Sequence, residues 1–282
     1  MRIWRRGHIG NEHKEFLEAY NVKHEPWSAP KIAAKVRDIN NYMFEIAEDD
    51  PAWPELKRRI GNEYTYIRTR FTEQERLNAE WSIIWDDHSI VNLRVPRDYA
   101  WSKEYFQNQC KNCGSGWEQI APFQLKQEPK LGKNQFCGFG GGFELFCTPL
   151  VLEEFARNGI SGFQTWPLVL AKSGNPVEGI KQIIVTEVAG PAIAEELVER
   201  ERYRQTDCPV CGQTWHAHYV RGMLPLRNSA LKQNVDFQLT NEWFGNSSSA
   251  RREVLASQRV VRLILKNKWK GVDLVPVQAV RQ

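Results

Sequence analysis

Cys110-Lys111-Asn112-Cys113-Gly114 and Cys208-Pro209-Val210-Cys211-Gly212 are the stretches that decide how this chain must fold. Each is a C-x-x-C followed at once by glycine. Two thiolates at that spacing reach one metal ion, and the glycine permits the tight turn that aims backbone amides at the sulfurs. Two such half-sites make one tetrahedral site, with Cys110, Cys113, Cys208 and Cys211 as its ligands. Residues 114–207 then form a closed excursion, because the chain must return for the second knuckle to meet the first. The expected cofactor is a structural Zn2+: four thiolates fill the coordination shell and leave no position for water.

C-x-x-C is also the spacing of redox pairs, whose first thiolate sits at a helix N-terminus. Here glycine follows both pairs where such a helix should continue, and strand-forming residues come next, so metal binding is the expected chemistry. His216 and His218 stand just beyond the second knuckle as H-x-H. On a strand they would share a face and could serve a second metal, or they could simply form a polar face. Cys137 and Cys147 flank a glycine-rich segment, residues 138–142. No Lys-Ser/Thr pair accompanies it and the residues after it look extended, so a turn between strands is expected, with the two cysteines as small buried hydrophobes. Asp86-Asp87-His88 reads as a turn. No nucleophile elbow, kinase signature or H-E-x-x-H is present, and no catalytic residue is assigned.

Working outward, the fold class is expected to be α+β: a mostly antiparallel sheet with a four-cysteine zinc-ribbon-like site and a helical N-terminal region. Residues 1–61 form that helical region and residues 62–282 the α+β domain closed by the knuckles. In the first part Ser28 caps, Pro30 suits a first turn, and Ile32, Val36, Ile39, Met43 and Ile46 recur at helical spacing. A shorter helix is expected from Pro54 to Ile60, with Gly61 as its stop. Thr72 and Glu75 make a capping box for another, followed by a strand through residues 82–85. Strand-like runs follow at 116–125, 142–147, 163–170 and 179–188, with a hairpin turn at Ser173-Gly174-Asn175-Pro176. A helix starts at Thr148-Pro149 and stops at Gly159. A basic helix runs from Arg251 to about Lys268, carrying Arg252, Arg259, Arg262 and Lys266, and residues 272–280 read as a strand.

Composition narrows the class without naming a reaction. Hydrophobic residues make up 41% of the 282 and aromatics 11%, with eleven tryptophans, so the chain buries a real core. The formal net charge of +4 is small for this size: nucleic acid is a possible partner, not a required one. No apolar run approaches a membrane span, and no membrane partner is expected. The opening Met1-Arg2-Ile3-Trp4-Arg5-Arg6 is basic, but no apolar segment follows it as in a signal peptide. Four of the six cysteines fall in C-x-x-C steps, which fits reduced thiolates and a cytoplasmic location.

The two knuckles, together with Gly140-Gly141-Gly142-Phe143-Glu144-Leu145-Phe146-Cys147-Thr148-Pro149, resemble the double-CxxCG motif family over about residues 105–280. That family is best populated in myxobacteria, and some members are immunity proteins paired with contact-delivered toxins. The resemblance implies metal ligands at the four knuckle cysteines and no catalytic residue. It implies a cytosolic binding protein that neutralises a cognate bacterial toxin by direct contact. This chain places about a hundred residues before its first knuckle, where the family has few. The alternative reading is a zinc-ribbon protein that binds nucleic acid through the basic C-terminal helix.

Overall fold

Strand alternation, not helical periodicity, organises most of the described residues among the first seventy. In the computed structural model, which describes residues 1–26, 41–61, 65–86, 105–107, 110–139, 144–198 and 205–281, strand β1 (Arg2–Gly10) leads into a short helix α1 (Lys14–Ala19). Strands β2 (Lys23–Pro26) and β3 (Asn41–Ala47), helix α2 (Trp53–Ile60) and strand β4 (Thr65–Arg70) follow. The strands form one antiparallel sheet in the order β2-β3-β1-β4. Phe44, Ile46 and Ile9 point to the face covered by Phe16 and Leu17 of α1 and by Trp53, Leu56 and Ile60 of α2. The spacing of the α2 residues, three then four apart, is the apolar stripe of a surface helix.

The described residues thus form strands with short helices between them, and the expected helical N-terminal region is not confirmed among them. The start of the expected long helix, Ser28 to Ile39, lies outside the described residues, and its far end is β3. Met43 and Ile46 suggested helical spacing, but Tyr42, Phe44 and Ile46 also alternate at period two. Aromatic and β-branched side chains on a half-buried sheet favour the second pattern. The helix at Pro54 does form. Proline occupies its first turn, and Gly61, at φ 56°, ends it by donating its N–H to the Lys57 carbonyl.

The chain divides into two units: residues Met1–Thr72 with Tyr219–Gly222, and Glu73–His218 with Met223–Gln282. The first thus extends past residue 61, because β4 completes its sheet. The short return segment joins it through Thr69, whose hydroxyl donates to the Val220 carbonyl and accepts from the Gly222 N–H.

In the second unit, helix α3 (Glu73–Asn78) precedes strand β5 (Trp81–Asp86). Short strands β6 (Phe106–Gln107) and β7 (Glu118–Gln119) pair with each other. Strands β8 (Gln124–Leu125), β9 (Phe136–Cys137) and β10 (Leu145–Cys147) lead to helix α4 (Pro149–Arg157). The hairpin β11 (Phe163–Leu170) and β12 (Pro176–Val185) forms as its turn sequence implies, with Gly174 at φ 72°. Together these strands make a five-stranded sheet in the order β8-β11-β12-β10-β9.

Strands β13 (Gln205–Asp207), β14 (Thr214–His216), β15 (Pro225–Arg227), β16 (Phe237–Leu239) and β17 (Trp243–Phe244) are all short. Then come β18 (Val254–Ser257), helix α5 (Gln258–Lys266), β19 (Val272–Pro276) and β20 (Gln278–Val280). A four-stranded antiparallel sheet of order β16-β18-β5-β19 places β5 centrally, with Trp81 to Ile84 buried.

The C-terminal helix is accordingly shorter than expected. Val254-Leu255-Ala256 is a buried strand paired on both edges, and only Gln258 onward is helical. A stretch buried on both faces reads as a continuous apolar run, which periodicity alone does not separate from a buried helix. Val260, Val261, Leu263 and Ile264 of α5 pack with Phe155 of α4 and with Phe136 and Phe237 into one core. The fold is mixed, with mostly antiparallel pairing. Among the described residues no helix is long and apolar enough to cross a membrane.

Candidate metal centre

Each C-x-x-C-G step is the tip of a two-stranded hairpin. The first knuckle lies between β6 and β7, and the second between β13 and β14. Both tips close with the same backbone bonds. Gly114 donates to the Cys110 carbonyl at 2.7 Å, and Gly212 to the Cys208 carbonyl at 2.9 Å. Cys110 donates to the Ser115 carbonyl and Cys208 to the Gln213 carbonyl, both at 2.9 Å. Gly114 and Gly212 adopt φ 72° and 70°, the left-handed region open to glycine at little cost.

The consequence is a matching pair of sulfur environments. Backbone N–H groups of Cys113 and Asn112 point at the Cys110 sulfur, and those of Cys211 and Val210 at Cys208. These donors stabilise thiolate. They lower the Cys110 thiol below its ordinary value and bring Cys208 down to about 6. At Cys211 the Gln213 N–H pulls the same way. Desolvation and hydrogen bonds shared with the other three cysteines outweigh it, so that Cys211 rises to about 12. Anions crowded without a cation resist further ionisation, and a bound cation reverses that cost.

All four sulfurs lie within 4.8 Å of one another. Cys113 Sγ and Cys211 Sγ are 3.7 Å apart. A tetrahedron with metal–sulfur bonds of about 2.3 Å has an edge of about 3.8 Å, whereas a disulfide would need about 2.05 Å. The four cysteines are therefore spaced to hold one metal ion. The expected ligand set is brought together in full, although ninety-eight positions separate Cys113 from Cys211.

Neighbours that the spacing pattern did not single out support the ligands. Ser115 Oγ lies 2.9 Å from Cys113 Sγ, and Asn112 Nδ2 donates to Cys208 Sγ across the two knuckles at 3.5 Å. Ser247 Oγ donates to the Cys113 carbonyl at 2.7 Å. Trp215 and Ala250 pack against Cys113 and Cys208. Asn112 and Ser115 sit within or beside a knuckle and could have been noticed there. Ser247 comes from 134 positions away, and no local signal marks it.

The other candidates are dispersed. His216 is buried on β14, and burial lowers its pKa against the opposing pull of Glu242, Glu195 and Asp207. His218 lies beyond the strand, with Nδ1 3.0 Å from Oε1 of Glu253, a carboxylate whose other oxygen accepts the Trp85 indole N–H at 2.8 Å. Among the described residues only the knuckle cysteines form a group of three or more His, Cys, Asp or Glu placed to share an ion. A second metal at the H-x-H pair therefore lacks a third ligand there.

Cys137 and Cys147 sit on adjacent strands but in different cores, the first with Phe146 and the second with Phe136. Burial pushes the Cys137 thiol up to about 12 and that of Cys147 higher still. Both are buried small hydrophobes. Of the glycine-rich segment, Gly138 passes under Asp86, where an added Cβ would lie 2.5 Å from the carboxylate. Gly140 to Phe143, and Asp87 with His88, lie outside the described residues.

The basic stripe expected at the C-terminus is partly spent internally. Arg251 donates to the Ser248 and Ala250 carbonyls, Arg252 lies over the Trp243 ring, and Arg259 pairs with buried Asp236 at 3.0 Å. Arg262, Lys266, Lys268 and Lys270 remain exposed. Beside the second knuckle a cleft of about 740 Å³ opens onto Cys211. Glu195, Glu196 and Glu242 line it with one guanidinium, that of Arg227, which donates to Glu196 at 2.7 Å. No family model matches the chain, and no match was found among the curated proteins compared with it.

Proposed function

We propose that this chain is a cytoplasmic binding protein of the immunity type, which neutralises a cognate bacterial toxin by direct contact and is stiffened by a structural zinc. The observation that carries the reading is the four-sulfur cluster. Its spacing suits zinc, and its closed ligand shell gives the ion a scaffolding role with no open position for a reacting water. The ion ties residues 114–207 at both ends, so the surfaces on that excursion are preorganised, and less conformational entropy is lost when a partner binds.

The resemblance to the double-CxxCG motif family supplies the kind of partner. The cleft at Cys211 supports it from the side of charge. The chain as a whole is mildly basic, yet this cleft is locally acidic, and a four-thiolate zinc site behind it would add negative charge. A basic toxin side chain fits that surface. Expression with the product of the neighbouring gene, followed by affinity purification, tests the reading. A stable complex that depends on the four cysteines is expected. Purification of the chain alone, fully metal-loaded, would sink the protective role while leaving the zinc in place.

A further inference from the structure

The open face of the N-terminal sheet carries an arrangement that the metal centre does not explain. Side chains directly opposite one another on antiparallel strands share a face. Register therefore places Arg2 beside Arg70, Trp4 beside Arg68, and Arg6 between Tyr66 and Glu45. Lys23 and Glu25 of β2 extend the same face. The opposite face is covered by α1 and α2. On β4 the exposed residues are the alternate ones, Tyr66, Arg68 and Arg70. Tyr66, on the edge strand β4, is 59% exposed.

Five cations, Arg2, Arg6, Lys23, Arg68 and Arg70, thus meet three carboxylates, Glu25, Glu45 and Asp49, and leave this face with a net positive charge. Arg70 and Arg2 lie over the Trp4 ring, 4.4 and 5.2 Å from its centroid, which holds two guanidiniums in place on the strand. The pairs of Arg2 with Asp49 at 2.7 Å and of Arg6 with Glu25 at 3.7 Å are exposed, whereas Arg70 pairs with half-buried Glu45 and stays tied to the sheet. Exposed pairs of this kind contribute little and exchange readily for another anion.

From this juxtaposition we propose that the sheet face binds single-stranded nucleic acid, with Tyr66 stacking on a base and the arginines of β1 and β4 tracking the phosphates. The strand spacing of about 4.8 Å and rise of about 3.3 Å per residue set the cations in a grid, and every base offers a face for an aromatic ring. Duplex would hide the bases from Tyr66. The surface belongs to the first unit and does not depend on the metal centre or on the toxin-directed reading.

Fluorescence anisotropy of the full chain with a labelled oligouridylate tests it, alongside the matching deoxyoligonucleotide, a duplex and poly-glutamate. Single strands should bind, more tightly than duplex, and lose affinity steeply between about 50 and 200 mM salt. Tyr66→Ala should weaken binding at least about fivefold, and Arg68→Ala should reduce the salt slope by about one. Both side chains face solvent, and unchanged thermal unfolding would confirm that the fold is intact. Absence of binding at low salt, or binding indifferent to both substitutions, overturns the proposal. So does equal capture of poly-glutamate insensitive to Tyr66→Ala, which would identify a surface for acidic protein.

Discussion

Asn112 of the first knuckle donates its side-chain N–H to the sulfur of Cys208 in the second, at 3.5 Å. The bond crosses between the two half-sites, so the first knuckle helps to orient a ligand of the second. Groups that hydrogen-bond metal ligands typically contribute tenfold or more to metal affinity. Asn112→Ala should therefore lower zinc affinity by about tenfold without changing stoichiometry, as measured by competition with a chromophoric chelator. An unchanged affinity would show that the bond is incidental.

Removal of the metal should be felt across the second unit. One zinc per chain is expected by elemental analysis, and Cys208→Ser should abolish stoichiometric loading. Structural zinc sites of this class have apparent binding free energies of roughly 10–16 kcal/mol. Chelation should accordingly lower the thermal midpoint well beyond the few degrees of an ordinary surface change. A chain that keeps its midpoint under strong chelation would have no structural metal.

The six cysteines should separate into two chemical classes. After chelation, exposed Cys211 and half-buried Cys110 should react with a maleimide in native buffer, and Cys113 and Cys208 should follow as the loosened knuckles open. Cys137 and Cys147 should react only in denaturant, since both are buried, Cys137 held up at about 12 and Cys147 still higher. Mass spectrometry of the labelled peptides reads the split. Labelling of Cys137 in native buffer as fast as Cys211 would contradict the placement of β9.

Acid should weaken the N-terminal unit. Burial alone would raise the carboxyls of Glu48 and Glu45. Arg221 and Arg5 on Glu48, and Arg70 with Lys23 on Glu45, more than reverse this and hold both below the ordinary 4.5. A depressed folded pKa contributes stability that is present above the unfolded value and lost as pH falls through the folded one. Denaturant titrations should thus show that stability is nearly constant from neutral pH to about 5 and falls below about 4.5. Glu48→Gln should cost about 2 kcal/mol at neutral pH and flatten the acid limb. A wild-type curve that stays level to about pH 3, roughly thirtyfold higher in proton activity than at pH 4.5, would remove the argument.

Two glycines should respond differently to alanine. Gly271 lies at φ 104°, where an added Cβ would come 1.8 Å from the Phe136 carbonyl oxygen. Gly159 lies at φ 60° with nothing within 4 Å of the same position. Gly271→Ala combines backbone strain with a clash against main chain and should cost about 3 kcal/mol or more. Gly159→Ala meets strain alone and should cost about 1 kcal/mol. Equal effects in urea unfolding would mean that the approach of Gly271 to Phe136 is not as described.

How much of this was legible beforehand follows from the range of each interaction. The ligand set was readable because C-x-x-C-G is a local device, and its turn, bonds and sulfur environment are complete within six residues. The α2 helix with its Gly61 stop, and the β11–β12 hairpin, were readable for the same reason. The N-terminal helix was misread because Met43 and Ile46 satisfy a helical spacing that Tyr42, Phe44 and Ile46 override once β1 and β2 lie on either side. Val254-Leu255-Ala256 was misread because an apolar run takes its form from what covers it, here β16 and β5.

The sequence by itself determined the four sulfurs, the glycines that turn the chain around them and the two hairpin tips that present them. Those features depend on backbone conformations and bonds spanning a few residues. Only the tertiary structure decided that Asn112 serves Cys208, that Ser247 supports Cys113, and that Tyr66 shares an open face with the arginines of β1. Such neighbours are set by strand order and register, which balance many weak contacts along the whole chain and leave no mark at any one position.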